Sequence, residues 1–223
     1  MQLIEYPDAE MMMMRLADIL AGELRTAVAL HGHASLAVPG GTTPGPIFDS
    51  LCAVDLDWSR IHVMLTDERW VPETSERSNT RLLRERLLTD KAAAAVYLPL
   101  YADAETPEEK LDELSEAIAA QLPLSVALLG MGADMHTASI FPGADLLAEA
   151  LSADAPVLLP MRAPSAPEPR ITLSARVLRD ALRIHVVIIG DEKRAALERA
   201  RKLPPEQAPI AAVLSQAEVH WAA

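Results

Sequence analysis

One histidine of this chain lies in a setting that suits acid–base chemistry. His136 follows an apolar run at Ser125–Leu129, within a glycine-rich segment and two residues after Asp134. An imidazole exchanges a proton near neutral pH, and a neighbouring carboxylate fixes its tautomer or raises its basicity. We therefore predict that His136 and Asp134 form a catalytic pair, although a lone histidine is more often structural. The other histidines lack this setting and are expected to be structural or exposed: His31, His33, His62, His185 and His220.

A second segment has the composition of an anion-binding turn. Gly40 and Gly41 let the backbone turn tightly after an apolar run, and Thr42 and Thr43 add hydroxyl donors. We predict that Thr43 caps a helix whose first residue is Pro44. The free N–H groups and the positive dipole end of such a helix suit a phosphate. The alternative is a plain strand-to-helix turn, because the segment matches neither the Walker nor the dinucleotide-binding pattern.

Charged side chains follow further apolar runs. Asp67 and Arg69 come directly after the run that ends at Leu65. Asp67 can accept sugar hydroxyls or orient a water, and the planar fork of Arg69 can hold an anionic group. Arg170 and Lys193 lie beside other predicted strands and could complete a phosphate-binding cage. Each of these residues is also compatible with an ordinary solvated surface charge.

The apolar pattern predicts the elements that must position these side chains. Short runs of strand length occur at Ser35–Pro39, Ile61–Leu65, Ser125–Leu129 and His185–Ile189. Helical periodicity occurs at Asp8–Leu30, Pro44–Ala53, Thr80–Leu88, Pro107–Gln121 and Glu192–Arg201. This alternation predicts an α/β fold with a Rossmann-like, mostly parallel sheet flanked by helices on both faces. Because ligands of such sheets gather beyond the carboxyl ends of the strands, we expect the polar segments to meet at one edge.

Three local features are also predicted. The segment Ala155–Pro169 contains five prolines, which exclude a long helix and indicate an extended loop before a strand at Ile171–Leu173. Asn79 is expected to cap the helix that follows it. The methionine run Met11–Met14 is expected to pack in the core.

Composition limits the classes of partner. The chain has 20 basic and 32 acidic side chains, and the net charge of −12 argues against general binding to nucleic acid or an anionic membrane. No apolar run approaches the roughly 18 residues of a membrane span. The single cysteine, Cys52, favours a reducing compartment, and no export signal is visible. We expect one domain over residues 1–223, in the cytoplasm, without a metal.

Four segments taken together resemble the motif series of the 6-phosphogluconolactonases, within the glucosamine-6-phosphate isomerase/6-phosphogluconolactonase superfamily. The segments are Pro39–Pro44, Asp67–Pro72 with Ser78 and Asn79, Gly130–Pro142, and Arg170–Ser174. They occur in the order of the family and extend over nearly the whole chain. Lys193 also matches a lysine of the family.

The resemblance implies hydrolysis of 6-phospho-D-glucono-1,5-lactone to 6-phosphogluconate, in the oxidative pentose phosphate pathway and without a cofactor. By resemblance, His136 is the general base that takes a proton from the attacking water, and Asp134 and Asp67 support it. The residues that would bind the phosphate and the sugar are Gly40, Gly41, Thr42, Thr43, Arg69, Arg170 and Lys193. The implied partner is a small phosphorylated sugar lactone, and the protein is expected to be a monomer or a weak homodimer.

Two positions depart from the family pattern. Met135 stands where the family usually has a glycine, immediately before the histidine, and its side chain would be strained if the backbone there needs a positive φ. Pro39 stands where the first loop of the family often begins with serine, so one hydroxyl and one N–H are missing.

Two other functions are weighed against lactone hydrolysis. The related isomerase/deaminases use an additional glutamate shortly after the same histidine, and this chain has Phe141 there, which cannot carry a proton. A non-catalytic sugar-phosphate sensor would usually need an output module, and the chain shows no basic helix-turn-helix segment.

Overall fold

The computed structural model describes residues 1–223 and contains two β-sheets. The ten strands are β1 (Gln2–Glu5), β2 (Ala34–Val38), β3 (Ile61–Leu65), β4 (Asp67–Arg69), β5 (Val96–Leu98), β6 (Val126–Gly130), β7 (Leu158–Ala163), β8 (Ala166–Leu173), β9 (Ile184–Ile189) and β10 (Glu218–Ala222). Seven of them form one sheet in the order β1-β10-β9-β6-β2-β3-β5, and every pairing in it is parallel. The predicted α/β fold with a mostly parallel sheet is confirmed.

The central strands are buried because they are apolar throughout. Every residue of β2 is buried, and β9 is buried except at its last residue, as expected of parallel strands covered by helices. The four strands predicted from apolar runs are all present, with bounds that differ by at most one residue from the prediction. The apolar run therefore fixes where each strand ends, and with it the position of the polar residues that follow.

Eight α-helices surround or connect these strands. They are α1 (Ala9–His31), α2 (Gly45–Leu51), α3 (Asn79–Arg86), α4 (Leu111–Ala119), α5 (Leu147–Leu151), α6 (Ala175–Arg179), α7 (Asp191–Ala200) and α8 (Ala211–Leu214). Short 3-10 helices occur at Trp58–Arg60, Asp90–Ala94 and Pro107–Lys110. None of the helices combines the length and the apolar character needed to cross a membrane.

The longest helix, α1, is delimited by local chemistry and buried on one face. The Asp8 carboxylate accepts a hydrogen bond from the N–H of Met11 at 2.7 Å, and Gly32 ends the helix at a φ of 80°. Met12 and Met13 belong to the core, whereas Met11 and Met14 are exposed. The prediction that the whole methionine run packs in the core is therefore wrong for its two outer residues, because four consecutive helical positions cannot all face the sheet.

The direction of the chain through the large sheet reverses between β2 and β6. From β2 the chain runs outward through β3 to β5, whereas from β6 it runs to the other side through β9 and β10. These two neighbouring strands pair in parallel at Leu36–Val126 and Ala37–Ala127. After the carboxyl ends of β2 and β6 the chain continues to opposite sides of the sheet, and a crevice remains between the two segments. Open α/β sheets bind ligands in such a crevice.

The proline-rich segment forms a hairpin instead of the predicted loop. β7 and β8 pair antiparallel, with Ala163 opposite Ala166 across a turn at Pro164 and Ser165, and β4 adds to the other side of β8. The five prolines do exclude a helix. The prediction of an extended loop is wrong because the prolines of β8 lie in the part that β4 does not cover, where their missing N–H groups break no pairing.

Candidate active site

A pocket of about 450 Å³ opens at the carboxyl edge of the large sheet, between the segments that follow β2 and β6. Nine of the ten residues predicted for the site line it: Gly40, Gly41, Thr42, Thr43, Asp67, Arg69, His136, Arg170 and Lys193. The tenth, Asp134, does not line the pocket and contacts His136 instead. The fold thus brings together residues from five separate segments of the chain.

His136 and Asp134 form a hydrogen-bonded pair at the rim of this pocket. The imidazole Nδ1 lies 2.5 Å from Oδ1 of Asp134, and the same oxygen accepts the backbone N–H of His136 at 3.2 Å. The hydrogen bond from His136 lowers the pKa of the Asp134 carboxyl. Because a carboxylate only accepts, Nδ1 carries the proton in the neutral imidazole and Nε2 keeps its lone pair. Gly132 makes room for the pair, since a Cβ there would overlap both side chains.

The backbone on both sides of His136 adopts left-handed conformations. Met135 has a φ of 67° and Ala138 a φ of 49°. Such a conformation costs a residue with a side chain roughly 1–2 kcal/mol, so the strain foreseen for Met135 is present. The carbonyl of Met135 accepts the N–H of Ile210 at 3.1 Å, which helps to hold the loop in this shape.

Phe141 links the histidine to one of the arginines. Its ring centroid lies 4.5 Å from that of His136, and the guanidinium carbon of Arg170 lies 5.8 Å from the Phe141 centroid. An aromatic face attracts a cation at this distance. The imidazole and the guanidinium therefore both pack against one apolar ring.

The glycine turn after β2 is shaped by close packing. Gly41 has a φ of 82°, which favours glycine, and a Cβ on Gly40 would overlap the amide of Asn79. The prediction that Thr43 caps the next helix is wrong. That helix, α2, begins at Gly45 after Pro44, and no side chain caps it, so the hydroxyl of Thr43 stays available to the pocket.

Asp67 is buried and fixed by neighbours from three segments. Its carboxylate accepts hydrogen bonds from Thr66 Oγ1 at 3.1 Å and from Ser139 Oγ at 2.6 Å, and Arg170 Nη1 lies 3.9 Å from Oδ2. Ser139 comes from the His136 loop, so this contact ties the loop to β4. Asp67 therefore lies between the histidine segment and the arginine.

The neighbouring Glu68 holds the start of α3 against β4. Its carboxylate accepts five hydrogen bonds of 2.7 to 3.2 Å, from the backbone N–H groups of Arg69, Asn79 and Thr80 and from the hydroxyls of Ser78 and Thr80. Burial raises the pKa of Glu68, and these donors oppose the effect. A negative charge at the positive end of a helix is favourable.

The predicted cap of α3 is displaced by one residue. Ser78 is the N-cap and accepts the N–H of Arg81 at 3.3 Å, whereas Asn79 is the first helical residue. The Asn79 amide instead donates to the carbonyl of Asp67 at 3.1 Å and lines the pocket. The prediction for Asn79 is therefore wrong, because a distant carboxylate, Glu68, already accepts its backbone N–H.

Three cationic side chains line the pocket, and each has N–H groups that are not used in hydrogen bonds within the protein. Arg170 is 8% exposed, its Nε has no hydrogen-bond partner, and its terminal nitrogens approach carboxylates only at 3.9 and 4.0 Å. The buried Nε of Arg69 is also without a partner, although its Nη1 donates to the carbonyl of Arg77. Lys193 donates to the carbonyl of Met131. Burial lowers the pKa of Arg170, and Asp67 opposes the effect. Buried guanidinium donors without partners suit an anionic ligand.

Several residues that shape the pocket were not among those predicted for it. Ser139, Phe141 and Glu68 all lie within the segments that resemble the family, but no role was predicted for them. Ser139 and Glu68 act through contacts with other segments, and Phe141 packs against His136. Asn79 was expected only as a cap. The other histidines meet the prediction: His31 and His33 are exposed, and the remaining three lie within strands.

The chain belongs to the family of glucosamine-6-phosphate isomerases/6-phosphogluconolactonase, whose family model matches residues 7–221. A 6-phosphogluconolactonase of Rhizobium meliloti is 42% identical over 229 aligned positions, which cover 100% of this chain and 98% of the relative. A 6-phosphogluconolactonase of Pseudomonas aeruginosa is 42% identical over 211 positions, covering 92% of this chain and 88% of the relative. The family resemblance predicted from the four motifs is thereby confirmed.

Solved structures agree with the fold. The crystal structure of a 6-phosphogluconolactonase from Shewanella baltica matches with a TM-score of 0.96 at 34% identity, covering 100% of this chain and 97% of that one. A monomeric glucosamine-6-phosphate deaminase matches with a TM-score of 0.83 at 17% identity, covering 100% and 97% of the two chains. At that identity the second match shows a shared fold alone.

We predict that Glu68→Gln destabilises the protein by about 1–3 kcal/mol, because an amide group cannot accept all five hydrogen bonds and leaves buried donors unpaired. The free energy of unfolding in urea measures the effect. Glu85→Gln is the matched control on α3, since Glu85 is exposed and pairs only with Arg81. A loss for Glu68→Gln no larger than the control's would contradict the proposed role.

Proposed function

We propose that the protein hydrolyses 6-phospho-D-glucono-1,5-lactone to 6-phosphogluconate in the oxidative pentose phosphate pathway. The full-length similarity to 6-phosphogluconolactonases supports this reaction. The observation that carries it is the placement of the buried Arg170, with an unpartnered Nε, in the same pocket as the imidazole of His136. One small ligand that carries both a phosphate and an ester carbonyl can contact both groups.

The substrate phosphate is assigned to the positive part of the pocket. The backbone of the glycine turn and the hydroxyls of Thr42 and Thr43 donate hydrogen bonds, while Arg170 and Lys193 supply charge. Arg69, the last residue of β4, contributes a partly buried guanidinium whose Nε has no hydrogen-bond partner. Binding energy gained on this remote group positions the reacting carbonyl without contacting it.

His136 is assigned the proton transfers. Nε2 takes a proton from a water molecule as the water oxygen attacks C1 of the lactone. The bond between C1 and the ring oxygen then breaks, and the imidazolium returns the proton to the leaving C5 oxygen. The products are a carboxylic acid, which ionises at neutral pH, and a free hydroxyl. Asp134 holds the imidazole in the required tautomer and stabilises the imidazolium between these two steps.

Asp67 is assigned an orienting role between the two halves of the pocket. It is 7% exposed and already accepts two hydroxyl hydrogen bonds, so it is fixed before a ligand arrives. A fixed carboxylate can accept a sugar hydroxyl or a hydrogen of the attacking water. No cofactor or metal is needed for this reaction.

The isomerase/deaminase reaction has less support than lactone hydrolysis. It needs a second proton carrier near the histidine, and the neighbour packed against His136 is the ring of Phe141, which does not titrate.

For the molecule as a whole, we propose a single domain over residues 1–223, supported by one continuous hydrophobic core. We propose that it acts in the cytoplasm as a monomer or a weak homodimer.

We predict that His136→Ala lowers kcat for the phosphorylated lactone by about 10²- to 10⁴-fold, the usual contribution of a general base. Binding of 6-phosphogluconate, measured by calorimetry, should change less than about threefold because the phosphate contacts remain. Lactone disappearance is followed with and without enzyme to subtract spontaneous hydrolysis. The control is His33→Ala, an exposed histidine outside the pocket, which should keep full activity. Undiminished hydrolysis by His136→Ala would remove this residue from its role.

We also predict that Arg170→Met raises KM for the phosphorylated lactone about 10- to 100-fold, the effect of losing a charge-assisted hydrogen bond. The unphosphorylated lactone should be hydrolysed slowly by the wild type and be affected much less by the substitution. Arg60→Met, which changes an exposed arginine outside the pocket, is the control. Equal acceleration of both lactones by the wild type would refute the phosphate-binding assignment.

A further inference from the structure

Two fully buried histidines lie outside the active-site pocket. His185, on β9, is 1% exposed, and His220, on β10, is 0% exposed. Neither lines the pocket, and the lactonase reaction uses neither. His185 Nδ1 faces His220 Nε2 at 3.0 Å, and Glu218, opposite His185 in the strand register, places Oε2 3.7 Å from the same Nδ1. Glu218 and His220 are two residues apart on β10 and therefore share one face of the sheet.

In each imidazole, the nitrogen that faces away from the other histidine already has a hydrogen-bond partner. His185 Nε2 lies 2.8 Å from Oε2 of Glu23, on α1, and the other oxygen of Glu23 faces Arg183 at 3.6 Å. His220 Nδ1 lies 2.9 Å from the hydroxyl of Tyr6. Histidines that bind a metal characteristically use one nitrogen for the ion and hydrogen-bond the other to a carboxylate or a similar group, which fixes the ring.

Three atoms face one another in this cluster: His185 Nδ1, His220 Nε2 and Glu218 Oε2. Their spacing suits the ligands of a tetrahedral metal ion. Ligands about 2.0–2.1 Å from a zinc ion lie roughly 3.4 Å from one another, and the 3.0 and 3.7 Å separations bracket this value. All three ligand atoms, from His185, Glu218 and His220, lie within 4.8 Å of one another. The side chain of Glu218 is 44% exposed, so the cluster has an open side for the ion and for a water as fourth ligand.

We propose that His185, His220 and Glu218 form a site for a divalent transition metal, with zinc as the best match to two imidazoles and one carboxylate. Glu23 and Tyr6 orient the two rings from outside. The site joins β9 and β10 to α1 and to the segment after β1, so the bound ion stabilises this side of the fold. It departs from the expectation, drawn from the sequence, that the protein holds no metal.

The protons of the cluster balance with and without the ion. Without metal, Tyr6 donates to His220 Nδ1, His220 Nε2–H donates to His185 Nδ1, and His185 Nε2–H donates to Glu23. With metal, His220 carries its proton on Nδ1 and donates it to the hydroxyl oxygen of Tyr6. The lone pairs of His185 Nδ1 and His220 Nε2 are then both free to bind the ion, and the two rings release no proton.

Zinc binding by the full-length protein tests the proposal. Protein stripped with EDTA and dialysed is titrated with Zn²⁺ against a chromophoric chelator, and one ion per chain is expected. Cobalt should give the visible absorption of a four-coordinate site. At a free zinc concentration 100-fold above Kd, Tm should rise by about 5–10 °C.

Variants separate this site from the active site. Glu218→Gln, at a partly exposed position, should fold and weaken zinc binding at least about 10-fold while leaving lactone hydrolysis unchanged. Glu206→Gln, an exposed residue elsewhere, should bind zinc as the wild type does. His136→Ala should also keep zinc binding. Absence of stoichiometric binding in the wild type would overturn the proposal, and so would binding that is lost in His136→Ala but kept in Glu218→Gln.

Discussion

The parallel pairing of β2 with β6 is the constraint on which the pocket depends. These neighbouring strands lead to the glycine turn on one side and to the His136 loop on the other, and the chain leaves them in opposite directions. Since parallel strands end at the same edge, residues about 95 positions apart in the sequence must face one crevice. The glycine turn and the imidazole of His136 thereby line one pocket, where a single small molecule can contact both.

Buried carboxylates keep this crevice in shape. Asp67 joins the histidine loop to β4 through Ser139, and Glu68 joins β4 to the start of α3 through four hydrogen bonds. α3 in turn places Asn79 against Gly40. Ordering these charges before a ligand arrives reduces the reorganisation that binding and catalysis would otherwise require. The left-handed backbone at Met135 shows that local strain is tolerated where the surrounding contacts determine the conformation.

The sequence predicts the large sheet well because its signal is local. A buried parallel strand needs a short apolar run and ends where that run ends, so the residues after β2, β3 and β6 are placed correctly. The β7–β8 hairpin is missed because its five prolines hide the strand signal, although β8 tolerates proline outside the part paired with β4. The cap of α3 is misplaced because Glu68 binds the start of this helix from another segment. The predicted cap of α2 fails because no side chain caps that helix.

The candidate site also divides into residues that the sequence predicts and residues that it does not. Residues recognisable by type and position line the pocket, whereas the roles of Ser139 and Glu68 depend on contacts with other segments and were not predicted. The buried pair His185 and His220 shows most clearly which contacts cannot be predicted from the sequence alone. Thirty-five positions separate them in sequence, and only the pairing of β9 with β10 brings their nitrogens together.

The most direct measurement is a crystal structure of the protein with bound 6-phosphogluconate. The account predicts that the phosphate lies against the turn at Gly40–Thr43 within hydrogen-bonding distance of Arg170, and that the carboxylate carbon lies beside Nε2 of His136. A phosphate bound elsewhere, or a carboxylate too far from the imidazole for one water to bridge them, would contradict it.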